Sequence, residues 1–434
     1  MRCSLVTRIV IPPGAATARN DRDERDPRDL GLDPTRVEAI WEAAVRLYRS
    51  GMHPAIQLCV RHRGEVVLDR AIGHARGNAP DDPPDGPRVV ATPATPFCAF
   101  SASKAVTAMV VHLLDERNLL RIDDPVCEYI PEFAVGSKQW ITIRHVLVHR
   151  AGIPNPPPEV MNLELLDDPN EIVRILCRLP QASRPGRQLA YHAITGGFIL
   201  GEIVRRVTGR DIRTFLDEDI RHPLGFRWLS YGVAPEDAGA VAVNCFTGAA
   251  PLPPVPYLLR RALGVDFRRV IEVSNHPRFL TTIVPSGNIV ATANEFSRFF
   301  QLLLNGGTLD GVGVFAPRTI RRAIGEQNYF EFDFTLALPF RYGMGFMLGA
   351  DRFSLYGPDT RHAFGHLGFT NVLAWADPTR EIAVALMTNG KPLLYLELRD
   401  AWDLLCRIGQ AFPKSALTAR ATEPAPRFAG TPHA

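Results

Sequence analysis

The spacing of apolar residues changes along the chain, and the changes mark its elements. Val37, Ile40, Trp41, Ala44, Val45 and Tyr48 recur at helical spacing behind Asp33-Pro34, a capping residue and a proline suited to the first turn. Gly51 ends that helix. Two β-rich runs, Ala55 to Arg61 and Val66 to Ile72, flank His62-Arg63-Gly64-Glu65 and predict a hairpin. The middle of the chain turns helical, with helices expected over Thr142 to His149, Glu171 to Leu179, Ile194 to Val207 and Asn294 to Leu304. Pro251 to Leu280 mixes prolines, aromatics and arginines without a clear period, as a lid or pocket wall would. Short strands return at Tyr342 to Leu348, Ala363 to Gly368, Asn371 to Ala376 and Glu381 to Thr388. A last helical pattern runs from Leu394 to Ile408.

Strands at both ends with helices between predict an α/β (α+β) fold. One antiparallel sheet would be formed from both chain ends and flanked by helices, with a mainly helical subdomain inserted. Residues 1–30, polar and Arg/Asp-rich, are expected to be a disordered lead-in. The folded domain is expected over 31–412, its α/β part about 31–95 and 340–412, its mainly helical part about 96–339. Residues 413–434, rich in Pro, Ala and Thr, are expected to be a disordered tail.

Composition narrows the function classes. Apolar content of 46% and charged content of 22% are ordinary for a soluble globular protein, and a net charge of +3 gives no reason to expect nucleic acid as a partner. The seven cysteines are scattered, odd in number and lack a Cys-x-x-Cys pair, which argues against a disulfide framework or a zinc ribbon. Arg8 and Pro12-Pro13 interrupt the N-terminal apolar run, so no signal peptide is read there. No stretch is apolar enough to span a membrane. The expected location is the cytoplasm.

The candidate chemistry begins at Phe100-Ser101-Ala102-Ser103-Lys104, followed by an apolar helical run from Ala105 to Leu114. Residues three apart share a helix face, so Ser101 Oγ and Lys104 Nζ can meet. A helix N-terminus also suits a developing oxyanion. A neutral, buried lysine can act as a general base toward serine, whereas arginine cannot take up a proton. Only Lys104, Lys138, Lys391 and Lys414 are lysine among 49 basic residues, which sets Lys104 apart. The structural alternative is a capping serine beside a snorkelling lysine.

Two later features complete a series: Pro185-Gly186-Arg187-Gln188-Leu189-Ala190-Tyr191-His192-Ala193 and Phe364-Gly365-His366-Leu367-Gly368-Phe369. With Ile122 to Val126, Ile141 to Pro154, Pro285-Ser286-Gly287 and Leu304 to Gly307, the chain resembles the serine β-lactamase and penicillin-binding-protein superfamily. It is most similar to the branch of class C β-lactamases, D-aminopeptidases and family VIII carboxylesterases. The resemblance implies that Ser101 forms an acyl-enzyme and that Lys104 and Tyr191 share base and acid work. It places the oxyanion hole at the backbone N–H groups of Ser101 and Phe369, and substrate contacts at His366, Gly368 and Ala193. With no phosphate loop or dinucleotide fingerprint in the sequence, no cofactor and no metal are expected. Tyr191 could instead be a bonded core tyrosine, and Gly368 a bulge glycine.

The departures from the family pattern bear on substrate. Ala193 stands where β-lactamases and peptidases carry the asparagine of Tyr-x-Asn, and His366 stands for the lysine of Lys-Thr-Gly. Amide and carboxylate recognition are both weakened, while ester cleavage is left intact. His366 is either a packed strand histidine or a substrate-facing group that gains charge toward about pH 6. His145 and His149 share a helix face but lack the glutamate of a zinc protease, and Cys98 reads as inert packing. The expected activity is hydrolysis of small neutral esters of short to medium acyl chains. A β-lactamase or D-alanyl-D-alanine peptidase, an acyltransferase to an alcohol, and a silent sensor of the same fold remain the alternatives.

Overall fold

The computed structural model describes residues 6–15, 17–393 and 397–415. Its main sheet uses β1 (Thr17–Arg19), β2 (Ala55–His62), β3 (Glu65–Arg76), β4 (Asn328–Asp333) and β5 (Leu338–Tyr342). It continues with β6 (Met347–Leu348), β7 (Phe364–Leu367), β8 (Leu373–Asp377) and β9 (Ile382–Thr388). They lie in the order β4-β5-β6-β7-β8-β9-β2-β3-β1, and Val89–Val90 beside β3 completes ten strands. Neighbours are antiparallel throughout, and the two chain ends meet where β9 pairs with β2 from Ile382–His62 to Thr388–Ile56.

The helices that cover the sheet and frame the site are α1 (Pro34–Arg49), α2 (Ser103–Glu116), α3 (Thr195–Thr208), α4 (Val255–Leu263), α5 (Ala293–Leu304) and α6 (Glu397–Ala411). Side-chain alternation along the strands decides how they layer. Ile56, Leu58, Val60, Trp375, Val384 and Leu386 share a cluster with the buried stripes of α1 and α6. On the other face Cys59, Ala374, Ala376, Ala383 and Ala385 form a floor of small residues, against which Phe296, Phe299 and Phe300 of α5 pack. The helical part of the chain continues that second layer, with Ala105, Val106 and Met109 of α2 fully buried in it.

Local rules explain where the elements start and stop. Asp33 Oδ1 accepts from Thr35 N at 2.8 Å, and Pro34 opens α1 as its sequence predicts. Gly209 closes α3 in the left-handed region at φ 72°. The Pro251 to Leu280 segment holds α4 and two further short helices, Phe267–Ser274 and Pro277–Thr281. The run Tyr342 to Leu348 breaks at Gly343-Met344-Gly345 into β5 and β6.

The lead-in departs from its expected disorder. Residues 1–5 and Ala16 lie outside the described residues, but Thr17–Arg19 forms the edge strand β1 against Arg70–Ile72. The Glu24 side chain is buried, takes Arg19 Nε at 2.6 Å and Arg70 Nε at 3.0 Å, and accepts from Asp69 N at 2.8 Å. The mixed charges of this segment therefore meet partners on β3, which no local pattern could show. At the other end Lys414 bonds Asp359 at 2.5 Å and Ser415 N donates to Thr379 O at 2.8 Å. Residues 416–434 of the expected tail, and Leu394 of the last helical pattern, lie outside the described residues.

Glu24→Ala would take one of two carboxylate partners from Arg19 and from Arg70, which keep Asp21 and Glu38, and would leave the Asp69 N–H without its acceptor. Its expected cost is about 1–3 kcal/mol in urea unfolding at unchanged slope. A loss below about 0.5 kcal/mol would show that the lead-in is not integral to the sheet.

Candidate active site

Phe100 enters the site at φ +47°, a conformation that is costly for a bulky residue. It delivers Ser101 on the short 3₁₀ turn Phe100–Ala102, which runs directly into α2. One turn on, Lys104 Nζ lies 3.1 Å from Ser101 Oγ. The same nitrogen donates to the carbonyls of Ala193 at 2.8 Å and Ser286 at 3.1 Å. Lys104 is only 8% exposed, and burial pulls its amine down to about 7. Near neutral pH much of it is therefore uncharged. A neutral amine has two N–H groups, which match the two carbonyls, and one lone pair, which is left for the serine hydroxyl.

Packing holds those carbonyls in place. Ser286 Oγ donates to Ile194 O at 3.0 Å and accepts from Gly197 N at 3.1 Å. A Cβ at position 197 would fall 2.1 Å from Ser286 Oγ, so glycine is what admits the Pro285–Gly287 loop to α3. The Pro-Ser-Gly segment thus brings a carbonyl to Lys104. Ser103, the other serine of the motif, is engaged elsewhere: its Oγ accepts from Ile289 N at 2.9 Å.

Tyr191 lies beside this pair. Its ring centroid is 4.9 Å from Lys104 Nζ, and its phenol bonds the Ser101 side chain. Burial pushes the phenol well above its ordinary pKa, so it stays protonated at neutral pH. The sequence reading did not single out Asp333, the residue that fixes Tyr191. Asp333 Oδ1 accepts from the backbone of Tyr191 at 3.1 Å, Thr335 at 2.8 Å and Leu336 at 3.0 Å. Its Oδ2 accepts from Tyr342 OH at 3.0 Å. Burial raises its carboxyl pKa, and these bonds oppose the rise. The available signal was Asp-x-Thr, an Asx-turn pattern at the end of β4.

His366 is 1% exposed, with Nδ1 2.6 Å from Leu367 O and its ring centroid 6.1 Å from that of Tyr191. Burial, with the Lys104 charge second, lowers it to about 3. The gain of charge expected of a pocket-facing imidazole near pH 6 is thereby corrected: the ring is buried and stays neutral. Ala193 is buried too, and its contribution is the backbone carbonyl that anchors Lys104. At Gly368 a Cβ would stand 2.6 Å from Ala99 O, so the end of β7 abuts the segment that carries Ser101. Gly368 N donates to Val372 O at 2.7 Å, whereas Phe369 N finds no acceptor among the described residues. The Phe369 ring lies 5.2 Å from Phe100 and 4.7 Å from Phe267.

The remaining candidates take structural roles. His145 Nδ1 accepts from Thr142 N at 3.2 Å in a capping box, and His149 Nδ1 accepts from His192 N at 3.2 Å. Burial pushes the Cys98 thiol up to about 11. Lys138 caps the carbonyls that end helix Pro169–Arg178, including Leu179 O at 2.9 Å. Lys391, also buried, donates to Thr388 O at 2.6 Å and sits 4.8 Å above the Phe100 ring.

The beta-lactamase family profile matches residues 44–405. "Esterase/beta-lactamase LipL" of Mycobacterium tuberculosis (strain ATCC 25618 / H37Rv) is 29% identical over 395 residues, 86% of each chain. A solved penicillin-binding protein homologue from Caulobacter crescentus superposes with a TM-score of 0.73 at 28% identity, covering 88% of this chain and 99% of its own. A family VIII carboxylesterase shares the fold with a TM-score of 0.73 at 23% identity, covering 87% and 98%. Fold and comparisons together define a serine hydrolase. More narrowly, the chain belongs to the beta-lactamase family.

Asp333→Ala would orphan three N–H groups and the Tyr342 hydroxyl. It is expected to cost about 3 kcal/mol or more in stability and to lower turnover at temperatures where the variant is folded. Asp333→Asn keeps an acceptor for the backbone and should retain most of both. Equal behaviour of the two variants, read by unfolding and initial rates, would rule out a role in placing Tyr191.

Proposed function

We propose that the protein hydrolyses neutral carboxylic esters of short to medium acyl chains through an acyl-enzyme on Ser101. The observation that carries this reading is the Lys104 nitrogen 3.1 Å from the Ser101 hydroxyl, held by two carbonyls, with burial pulling its amine down to about 7. Ser101 Oγ attacks the ester carbonyl carbon and passes its proton to Lys104 Nζ. The N–H groups of Ser101 and Phe369 take the oxyanion. As the C–O bond breaks, the leaving alkoxide receives a proton from the Tyr191 phenol, which Lys104 replenishes. Water then enters by the same route in reverse, and releases the acid.

Substrate class follows from what surrounds the centre. Leu263, Leu336 and Leu367 pack against the cluster that contains Tyr191 and Ala193, which supports an apolar substrate. Ala193 lacks an amide, and His366 lacks the charge that would hold a substrate carboxylate.

Ser101→Ala should abolish turnover of p-nitrophenyl esters with the fold intact. Lys104→Arg should be nearly as inactive as Lys104→Ala, because arginine cannot accept the proton. In the native enzyme kcat/KM should fall about tenfold per pH unit below about pH 7, as Lys104 protonates. A flat acid limb, or an active arginine variant, would reduce Lys104 to a fixed cation.

Against a chromogenic cephalosporin the expected efficiency is about two to four powers of ten below that on a small ester, for two missing charged or amide contacts. Lowering the pH to about 6 should not favour the cephalosporin, since His366 stays neutral. Comparable rates on both substrates would instead support the β-lactamase alternative.

A further inference from the structure

Three separate segments converge on the cluster around Tyr191. Leu263 comes from α4, Leu336 from the β4–β5 hairpin, and Leu355 from the loop between β6 and β7, and all pack against it. Each segment also holds large apolar side chains out in solvent. On α4 these are Tyr257, 69% exposed, and Leu258; on the hairpin Phe332 and Phe334; on the loop Phe353, 82% exposed. Leu258 and Phe334 line one cleft together with Ala190, the neighbour of Tyr191, so the exposed residues border the candidate site. Exposed aromatics grouped in this way mark an interaction surface.

The charges at this rim select the occupant. Arg260 and Arg261 stand exposed beside Tyr257 and Leu258, and Arg352 stands beside Phe353. Their side chains make no hydrogen bond or ion pair among the described residues. The neighbouring acids are mostly neutralised already: Glu331 by Arg150, Asp351 by Arg361 and Glu326 by Arg341. Asp266, exposed just beyond α4, has no side-chain partner among the described residues and opposes the free arginines. A second copy meeting this face symmetrically would bring like charges together. Aromatic side chains interleaved with unpaired arginines instead match the headgroup region of an anionic bilayer.

We propose that this rim docks on a lipid surface of net negative charge and brings the mouth of the site to esters held there. The docking stands apart from the esterase reading; the delivery of esters rests on it. The test is cosedimentation of the full chain with vesicles of phosphatidylcholine, alone or in equimolar mixture with phosphatidylglycerol. The chain should bind the mixed vesicles and be released by salt. Arg260→Gln with Arg261→Gln should weaken binding at least about tenfold, and Tyr257→Ser with Phe332→Ser should do likewise. Both pairs should leave turnover of a water-soluble p-nitrophenyl ester unchanged. The proposal is overturned if the native chain ignores the mixed vesicles at low salt, or if both variant pairs bind as it does. It is overturned equally if the native chain forms a dimer that Tyr257→Ser with Phe332→Ser dissolves while vesicles stay unbound. Binding is read without turnover, so a chain that docks but cleaves no ester would count against the Ser101 reading alone.

Discussion

A buried lysine without a carboxylate partner is the constraint on which the rest of this molecule turns. Removing the ammonium from water shifts Lys104 toward its neutral form, and nothing nearby of opposite charge reverses that. The surroundings are arranged to accept an amine. Two carbonyls from distant parts of the chain, Ala193 and Ser286, take its hydrogens, and each is held by an element whose placement depends on close packing. The sheet, α3 and the loop before Ile289 can be understood as the means of keeping those acceptors at hydrogen-bonding distance from α2.

Part of the backbone strain lies at the same place. Phe100, His149 and Thr370 all carry positive φ, and all lie next to residues of the candidate site. A bulky residue stays in that region only where its neighbours over-determine it. For Phe100 the neighbours are the Phe369 ring and the buried Lys391 amine, while the β7 end abuts the preceding residue, Ala99. The hairpin β4–β5 joins this frame through Asp333 on its inner side while exposing Phe332 and Phe334 on its outer side. The proposed lipid contact and the seat of Tyr191 therefore share one two-stranded element.

Periodic signals carried much of the fold. The apolar run from Ile382 to Thr388, the capped start at Asp33-Pro34 and the hairpin around Arg63-Gly64 all have local causes, and local causes are readable. So is the Ser-x-x-Lys spacing, because helix geometry alone brings positions 101 and 104 together. What stayed hidden depends on partners far apart in the chain. Glu24 reads as solvated charge until Arg70 is placed beside it. Asp333 reads as a turn residue until Tyr191 arrives above it. His366 reads as a switchable imidazole until burial is known. The scarcity of lysine was a partial guide: Lys138 and Lys391 are buried as well, so it marked places where a buried amine bonds carbonyls, and of these three Lys104 is the one that faces a serine.

The floor of alanines on one side of the sheet has a consequence for how the chain can vary. It sets the depth to which α5 sinks, and the strand Ile289–Ala291 just before α5 bonds Ser103 at the head of α2. Methyl groups under one helix thereby act as a gauge for the nucleophile. Drift in sequence should be lopsided as a result: the α1 and α6 side can exchange one branched residue for another, whereas the alanine side has almost no latitude to grow.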